Sequence, residues 1–219
     1  MSNARAHEMA KMLSQSGGLL DYGPDLSRLL IQVLRSLAKG RPVTGERVDQ
    51  MTAGLGIARD AADQFLRQIT ERDADNNIVG IMGLSLKDHP HRFHLDGARM
   101  STWCAEDTLF LPAMLQQTAT VESESPLTKR KVRLTVGPEG VQEVNPPGAV
   151  VSITMIDPEK ADMSSAQAIW STFCHHVFFF ASREEAERWA SGRDDIEILS
   201  VGEGYLLGEE LWSKVLSHV

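Results

Sequence analysis

Cysteine is close to absent from this chain: Cys104 and Cys174 are the two thiols in 219 residues. Two cysteines are too few for a disulfide framework, so reduced thiols and a cytoplasmic setting are expected. Long apolar runs are missing as well. Nothing reaches the 18 or so consecutive apolar residues of a membrane-spanning helix, so no membrane association is expected. Basic charge is in deficit, with 22 Lys and Arg against 30 Asp and Glu and a formal net charge of -8. That balance argues against a broad nucleic-acid surface, because phosphate binding needs a basic face. Residues 1–18 lack the basic start and apolar block of a secretory signal. Residues 1–19 are expected to form a flexible extension, with one weak helical turn at Met9, Met12 and Leu13.

What is present is ordinary globular material, 42% hydrophobic and 24% charged, enough for one larger domain or two small ones. Leu26, Leu29, Leu30, Val33, Leu34 and Leu37 recur at helical spacing, and Gly40 with Pro42 ends that helix. Thr44 is placed to cap a second helix through Met51, closed by Gly54 or Gly56. A third helix over residues 59–72 gathers Ala62, Phe65, Leu66 and Ile69 on one face. Asp75-Asn76-Asn77 makes a turn, residues 78–86 read as one strand, and residues 92–95 as its hairpin partner. Three helices and a hairpin have the outline of a winged helix-turn-helix. The third helix sets Asp60, Asp63 and Glu71 among its arginines, whereas a DNA-reading helix needs a basic outer face.

Strands are expected over residues 118–122, 131–136, 148–156, 176–181 and 196–201. Lys129-Arg130-Lys131 reads as a solvated hairpin tip. Ser182 is placed to cap a helix over residues 183–190, and residues 208–218 read as a closing helix. The expected fold is therefore α+β. A winged-helix-like module over residues 20–97 precedes an α+β core over residues 98–219, a mixed or antiparallel sheet with flanking helices.

The two cysteines carry the chemistry. A helix over residues 103–111 would put Cys104 near its N-terminus, where the dipole favours thiolate. Asp107, three residues on, then shares its face. A thiolate and a carboxylate side by side repel, so the pair tends to share one proton, a good arrangement for moving a proton to a bound group. Taken singly, each cysteine reads more simply as a small buried hydrophobe. Cys174 sits at the entrance to the apolar stretch, with His175 and His176 on opposite faces if the strand is regular. A zinc site from Cys104, Asp107, Cys174 and His175 lacks the short paired spacing of common zinc motifs. A redox disulfide lacks the Cys-x-x-Cys spacing of oxidoreductases. Two converging thiols would select a soft metal.

Trp103-Cys104-Ala105-Glu106-Asp107-Thr108-Leu109 with Pro112-Ala113 resembles the first active-site segment of the organomercurial (alkylmercury) lyases. Ser171-Thr172-Phe173-Cys174-His175-His176-Val177 with Phe179-Phe180-Ala181-Ser182 resembles the second. Leu37-Ala38-Lys39-Gly40-Arg41-Pro42-Val43 and Asn77-Ile78-Val79-Gly80 fit in order, so the likeness spans residues 20–219. It implies protonolysis of a carbon–mercury bond to a hydrocarbon and Hg(II). Cys104 would capture mercury, Cys174 would add the second sulfur, and Asp107 would carry the proton. His175 and Trp103 would be auxiliary to the site. The likeness further implies no cofactor, low-molecular-weight thiols as acceptors of Hg(II), and a mercuric reductase downstream. Many members have a further cysteine where this chain has His175, and another where residues 121–125 hold none. Glu106, beside the acid, is a further departure. A mercury-binding protein without catalysis, or a metal-sensing winged-helix regulator, would use the same thiols.

Overall fold

The structure is a computed structural model that describes residues 6–11, 21–155, 162 and 164–218. Residues 6–11 are helical and bury Ala6, Met9 and Ala10 against the core. The rest of the expected N-terminal extension, Met12 and Leu13 included, lies outside the described residues. Helix α1 (Gly23–Leu37) carries Pro24 in its first turn and buries Leu29, Leu30, Val33, Leu34 and Leu37. Thr44 caps α2 (Gly45–Leu55) by accepting the Arg47 N–H, and Gly56 closes it in the left-handed region. Helix α3 (Arg59–Ile69) buries the expected Ala62, Phe65, Leu66 and Ile69. It stops three residues before the expected end. At Thr70, whose hydroxyl donates to the Leu66 carbonyl at 2.6 Å, the chain turns into strand β1 (Thr70–Arg72).

An antiparallel eight-stranded sheet follows, in the order β1-β2-β3-β5-β4-β6-β7-β8. Its further members are β2 (Ile78–Ile81), β3 (Leu84–Ser85), β4 (His91–Leu95), β5 (Ala98–Thr102), β6 (Ala119–Glu124), β7 (Lys131–Gly137) and β8 (Gly140–Asn145). The single strand expected over residues 78–86 is instead a hairpin. Met82 and Gly83 both have positive φ, and a two-residue turn of that kind suits the twist of paired strands. Residues 92–95, expected to pair with it, belong to β4, which lies between β5 and β6; β3 pairs with β5. Strand β8 was not legible from apolar spacing because it is a largely exposed edge.

A second, three-stranded sheet has the order β10-β9-β11, formed by Phe179–Phe180, Val150–Thr154 and Ile196–Ser200. Of the strand expected over residues 176–181, two residues pair. Helix α4 (Asp107–Leu115) tolerates Pro112 and is buried along its whole length. Helix α5 (Ala166–Thr172), absent from the sequence reading, has one buried side chain and so no apolar stripe to reveal it. Ser182 caps α6 (Arg183–Ala190) as expected. The closing helix begins earlier than residue 208: α7 (Val201–Leu211) opens with a capping box of Ser200 and Glu203, and α8 (Ser213–Leu216) follows. One continuous apolar cluster joins α1, the large sheet, α4, α7 and both cysteines. No helix among the described residues is long and apolar enough to cross a membrane.

Helices α4 and α7 approach closely because glycines face α4. A Cβ on Gly208 would lie 2.8 Å from Glu106 Oε1 and 3.1 Å from Phe110 Cβ, and one on Gly204 would lie 2.9 Å from Leu109 Cδ1. The Glu106 carboxyl is thus sealed between the helices, and neither oxygen has a hydrogen-bond partner among the described residues. Burial, with the charge of Asp107, pushes its pKa well above the carboxylate range. The folded state then holds this proton more tightly than the unfolded chain. Stability that is complete below the ordinary carboxylate range is lost as pH rises above it. A buried unsatisfied polar group costs about 1–3 kcal/mol, and each kcal/mol moves the Tm of a chain this size by roughly 2–4 °C. Glu106→Leu is therefore expected to raise Tm by several degrees near pH 8 and by less near pH 4. Calorimetry at the two pH values checks this, and an unchanged or lower Tm near pH 8 would refute it.

Candidate active site

Strand β5 ends at Thr102, and the chain then makes a tight turn through Trp103, Cys104, Ala105 and Glu106 before α4. The helix expected from residue 103 starts at Asp107, so Cys104 lies in the turn. The Asp107 side chain folds back, and its Oδ2 accepts the Cys104 backbone N–H at 2.7 Å. The Thr102 hydroxyl donates to the Cys104 carbonyl at 2.8 Å, and the Trp103 N–H donates to the Gly83 carbonyl, also at 2.8 Å. Gly83, with φ +91°, meets a steric demand as well. A Cβ there would stand 2.3 Å from the Asp107 carboxyl carbon. The β2–β3 turn therefore forms one wall of the site, which spacing in the sequence does not announce.

Cys174 begins a 3₁₀ turn, Cys174–His176, directly after α5. It does not stand at the entrance to a strand as expected, and the two histidines are not placed by strand alternation. Strand β9 holds this turn: the Ser152 hydroxyl donates to the His176 carbonyl at 2.7 Å, and the Thr154 hydroxyl donates to the Phe173 carbonyl at 3.0 Å. A backbone bond from the Ala105 N–H to the Val177 carbonyl, 3.1 Å, ties the two segments together. As a result Cys104, Asp107 and Cys174 offer one ligand atom each, all within 4.8 Å of one another, and all three residues are buried. This group can hold one metal ion. His175 stands outside it, exposed, with its ring 4.9 Å from that of Trp170. Trp103 is buried, and its indole N–H donates to Glu71 Oε2 at 3.0 Å.

The electrostatics follow from sealing these groups away from water. Burial raises the Asp107 pKa to about 7, against the opposing pull of its bonds from the Cys104 N–H and thiol and of the nearby His89 charge. Burial also pushes the Cys104 thiol well above its ordinary value, helped by its hydrogen bond with Cys174 and the charge of Asp107. For Cys174 the bond with Cys104 pulls down, yet burial and the Asp107 charge prevail and its pKa rises. The lowering expected from a helix N-terminus is therefore overturned by desolvation. Both thiols hold their protons at neutral pH, while the carboxyl is poised to take or give one.

Glu71 completes the surroundings. Burial opposes its charge, but the His89 ring nitrogen 3.5 Å away and the bonds from Ser85 and Trp103 outweigh that and hold its carboxyl down at about 2. Its side chain lies over Gly80, where a Cβ would stand 2.1 Å from Oε2. In the sequence Glu71 falls within the helix expected over residues 59–72, where its residue type carries no role of its own. The signal missed was the glycine opposite, which marks where another side chain crosses the strand.

The alkylmercury lyase (MerB) family model matches residues 84–213, a span that contains both cysteines and Asp107. The chain is similar to the alkylmercury lyase of Pseudomonas putida, 36% identical with 94% of this chain and 93% of that protein aligned. Against the alkylmercury lyase of Streptomyces lividans the identity is 35%, covering 98% and 96%. In fold, it matches the crystal structure of the mercury-bound form of MerB2 with a TM-score of 0.73 at 24% identity, covering 95% of this chain and 99% of that one. A full-length likeness to named relatives, with the two matched segments brought together around one buried dithiol–carboxyl group, places this chain in the alkylmercury lyase family.

Proposed function

We propose that this protein cleaves the carbon–mercury bond of small organomercurials by protonolysis, giving a hydrocarbon and Hg(II). The observation that carries the reading is the buried group in which both thiols and Asp107 can reach a single metal atom. Soft thiolates suit mercury, and a site dry enough to keep its thiols protonated strengthens every charge interaction within it. An organomercurial cation, R–Hg⁺, meets Cys104, and a sulfur–mercury bond forms as the thiol proton passes to ionised Asp107. Cys174 adds the second sulfur and releases its proton to solvent. Two thiolates push electron density toward the organic group. The mercury–carbon bond then breaks, and its electron pair takes the proton from Asp107. Two thiol protons enter the cycle; one leaves on carbon and one in water. Asp107 ends as it began, ionised.

The reading calls on no organic cofactor, because the residues themselves supply both ligands and the proton. Hg(II) on two thiolates leaves by exchange with low-molecular-weight thiols, which return the protons. Such thiols are abundant in the cytoplasm, the setting proposed for this chain, and a mercuric reductase is the natural consumer of the product. His175, exposed and next to Cys174 in the chain, would meet the incoming thiol, and Trp103, bonded to Glu71, would steady the Cys104 turn.

Incubation with phenylmercury and excess thiol should release benzene. Cys104→Ser and Cys174→Ser are each expected to abolish release. Asp107→Asn should still bind phenylmercury while release falls by about 10²–10⁴-fold, the range a positioned proton carrier supplies. Stoichiometric mercury binding by the wild type without benzene would replace the lyase reading with that of a mercury-holding protein. The pH profile offers a separate check. Capture needs Asp107 ionised, and its pKa is about 7, so kcat/KM should rise with pH through about 7. The same rise persisting in Asp107→Asn would remove Asp107 from the role.

A further inference from the structure

A cavity of about 550 Å³ is bordered by Arg67, Glu71, Lys87, His89, Trp103 and Trp170, residues that adjoin the segments of the thiol–carboxyl group without including its three members. Two of its lining residues belong to the segments that carry the thiols. Trp103 directly precedes Cys104, and Trp170 lies on α5, the helix that runs into the Cys174 turn. His89 is close enough for its charge to act on Asp107. The volume falls within the range of small-molecule pockets, and two indoles give it flat apolar walls.

Its charge runs against that of the chain. The protein as a whole is acidic, with a net charge of -8, whereas the fixed charges here are Arg67 and Lys87 against Glu71 alone. Glu71 is already engaged. Its Oε2 accepts the Ser85 hydroxyl and the Trp103 indole N–H, and its Oε1 faces Lys87 Nζ at 3.6 Å and His89 Nε2 at 3.5 Å. Arg67 is exposed at the rim and has no ion pair among the described residues. The cavity therefore holds one uncommitted guanidinium, a second cation partly neutralised by Glu71, and aromatic faces. That combination recognises a carboxylate carried on a flat or short organic body, since a guanidinium binds carboxylates in a two-pronged geometry.

We infer that this cavity is a carboxylate-reading subsite of the dithiol site, with Arg67 and Lys87 as its specificity-determining residues. The inference rests on the lyase reading above. Two partners in that reaction carry such a group: the organic group of the mercurial, as in 4-carboxyphenylmercury, and an accepting thiol, as in mercaptoacetate. Both would present the carboxylate a few atoms from mercury.

The test compares ratios in the full-length protein. Release of benzoate from 4-carboxyphenylmercury is measured against release of benzene from phenylmercury, with mercaptoethanol as the thiol. Turnover of phenylmercury is then measured with mercaptoacetate against mercaptoethanol. Arg67→Ala and Lys87→Ala are each expected to lower one of these carboxylate-to-neutral ratios in kcat/KM by about threefold or more, the scale of a partly exposed ion pair. Arg67→Glu should lower it further. A fall in the first ratio assigns the carboxylate to the substrate, and a fall in the second assigns it to the accepting thiol. Both ratios unchanged in all three variants would overturn the subsite. No hydrocarbon from either mercurial in the wild type would instead sink the lyase reading, a distinguishable result.

Discussion

The bond between the Cys104 backbone N–H and the Asp107 carboxyl is the contact on which the rest of the site depends. It bends the chain between β5 and α4 so that a thiol and an acid three residues apart converge without a helix between them. Space for that carboxyl comes from Gly83, which in turn requires the tight Met82-Gly83 turn of the β2–β3 hairpin. The same turn returns a carbonyl to Trp103, and Ala105 reaches across to Val177 in the second cysteine segment. Each of these backbone groups would be costly to leave unpaired in the interior. The convergence of the thiols is thus fixed by ordinary hydrogen-bond accounting before any metal arrives.

Burial decides how these groups behave chemically. A thiol near a helix N-terminus in water would ionise more readily, yet here desolvation is the larger effect and both thiols keep their protons. A site that stores protonated thiols and one half-titrated acid has what a soft cation needs: its arrival displaces protons, and an acceptor stands within reach. In the proposed reaction, affinity for the metal and supply of the proton come from the same event.

Much of the scaffold was legible from residues with a single strong local role. Thr44 and Ser182 cap the helices they were expected to cap, and the leucine spacing of α1 maps onto its buried face. Cys104, Cys174 and Asp107 were singled out from their segments, and the structure brings those three together. Illegible features were those whose cause lies elsewhere in the chain. The hairpin inside residues 78–86 depends on a non-glycine, Met82, taking positive φ, which its identity does not suggest. Strand β8 and helix α5 bury too little to leave a periodic pattern. Helix α7 was hidden by Gly202, Gly204 and Gly208, poor helix formers, two of which serve the contact with α4. The 3₁₀ turn at Cys174 is set by Ser152 and Thr154, about twenty residues away.

Glu106 and Asp107 show why residue type alone cannot assign a role. They are adjacent acids, both buried, and both have raised pKa values. Asp107 accepts a backbone N–H and lies among two thiols and the His89 charge, so its ionised form is partly supported and it titrates at about 7. Glu106 points the other way, into the glycine-lined gap between α4 and α7, where nothing supports its charge. One acid is poised near neutrality, and its neighbour is held neutral. The alternation of direction along a single tight turn separates a half-titrated acid from a packed, neutral carboxyl. Exchanging their surroundings, rather than their side chains, would exchange their roles.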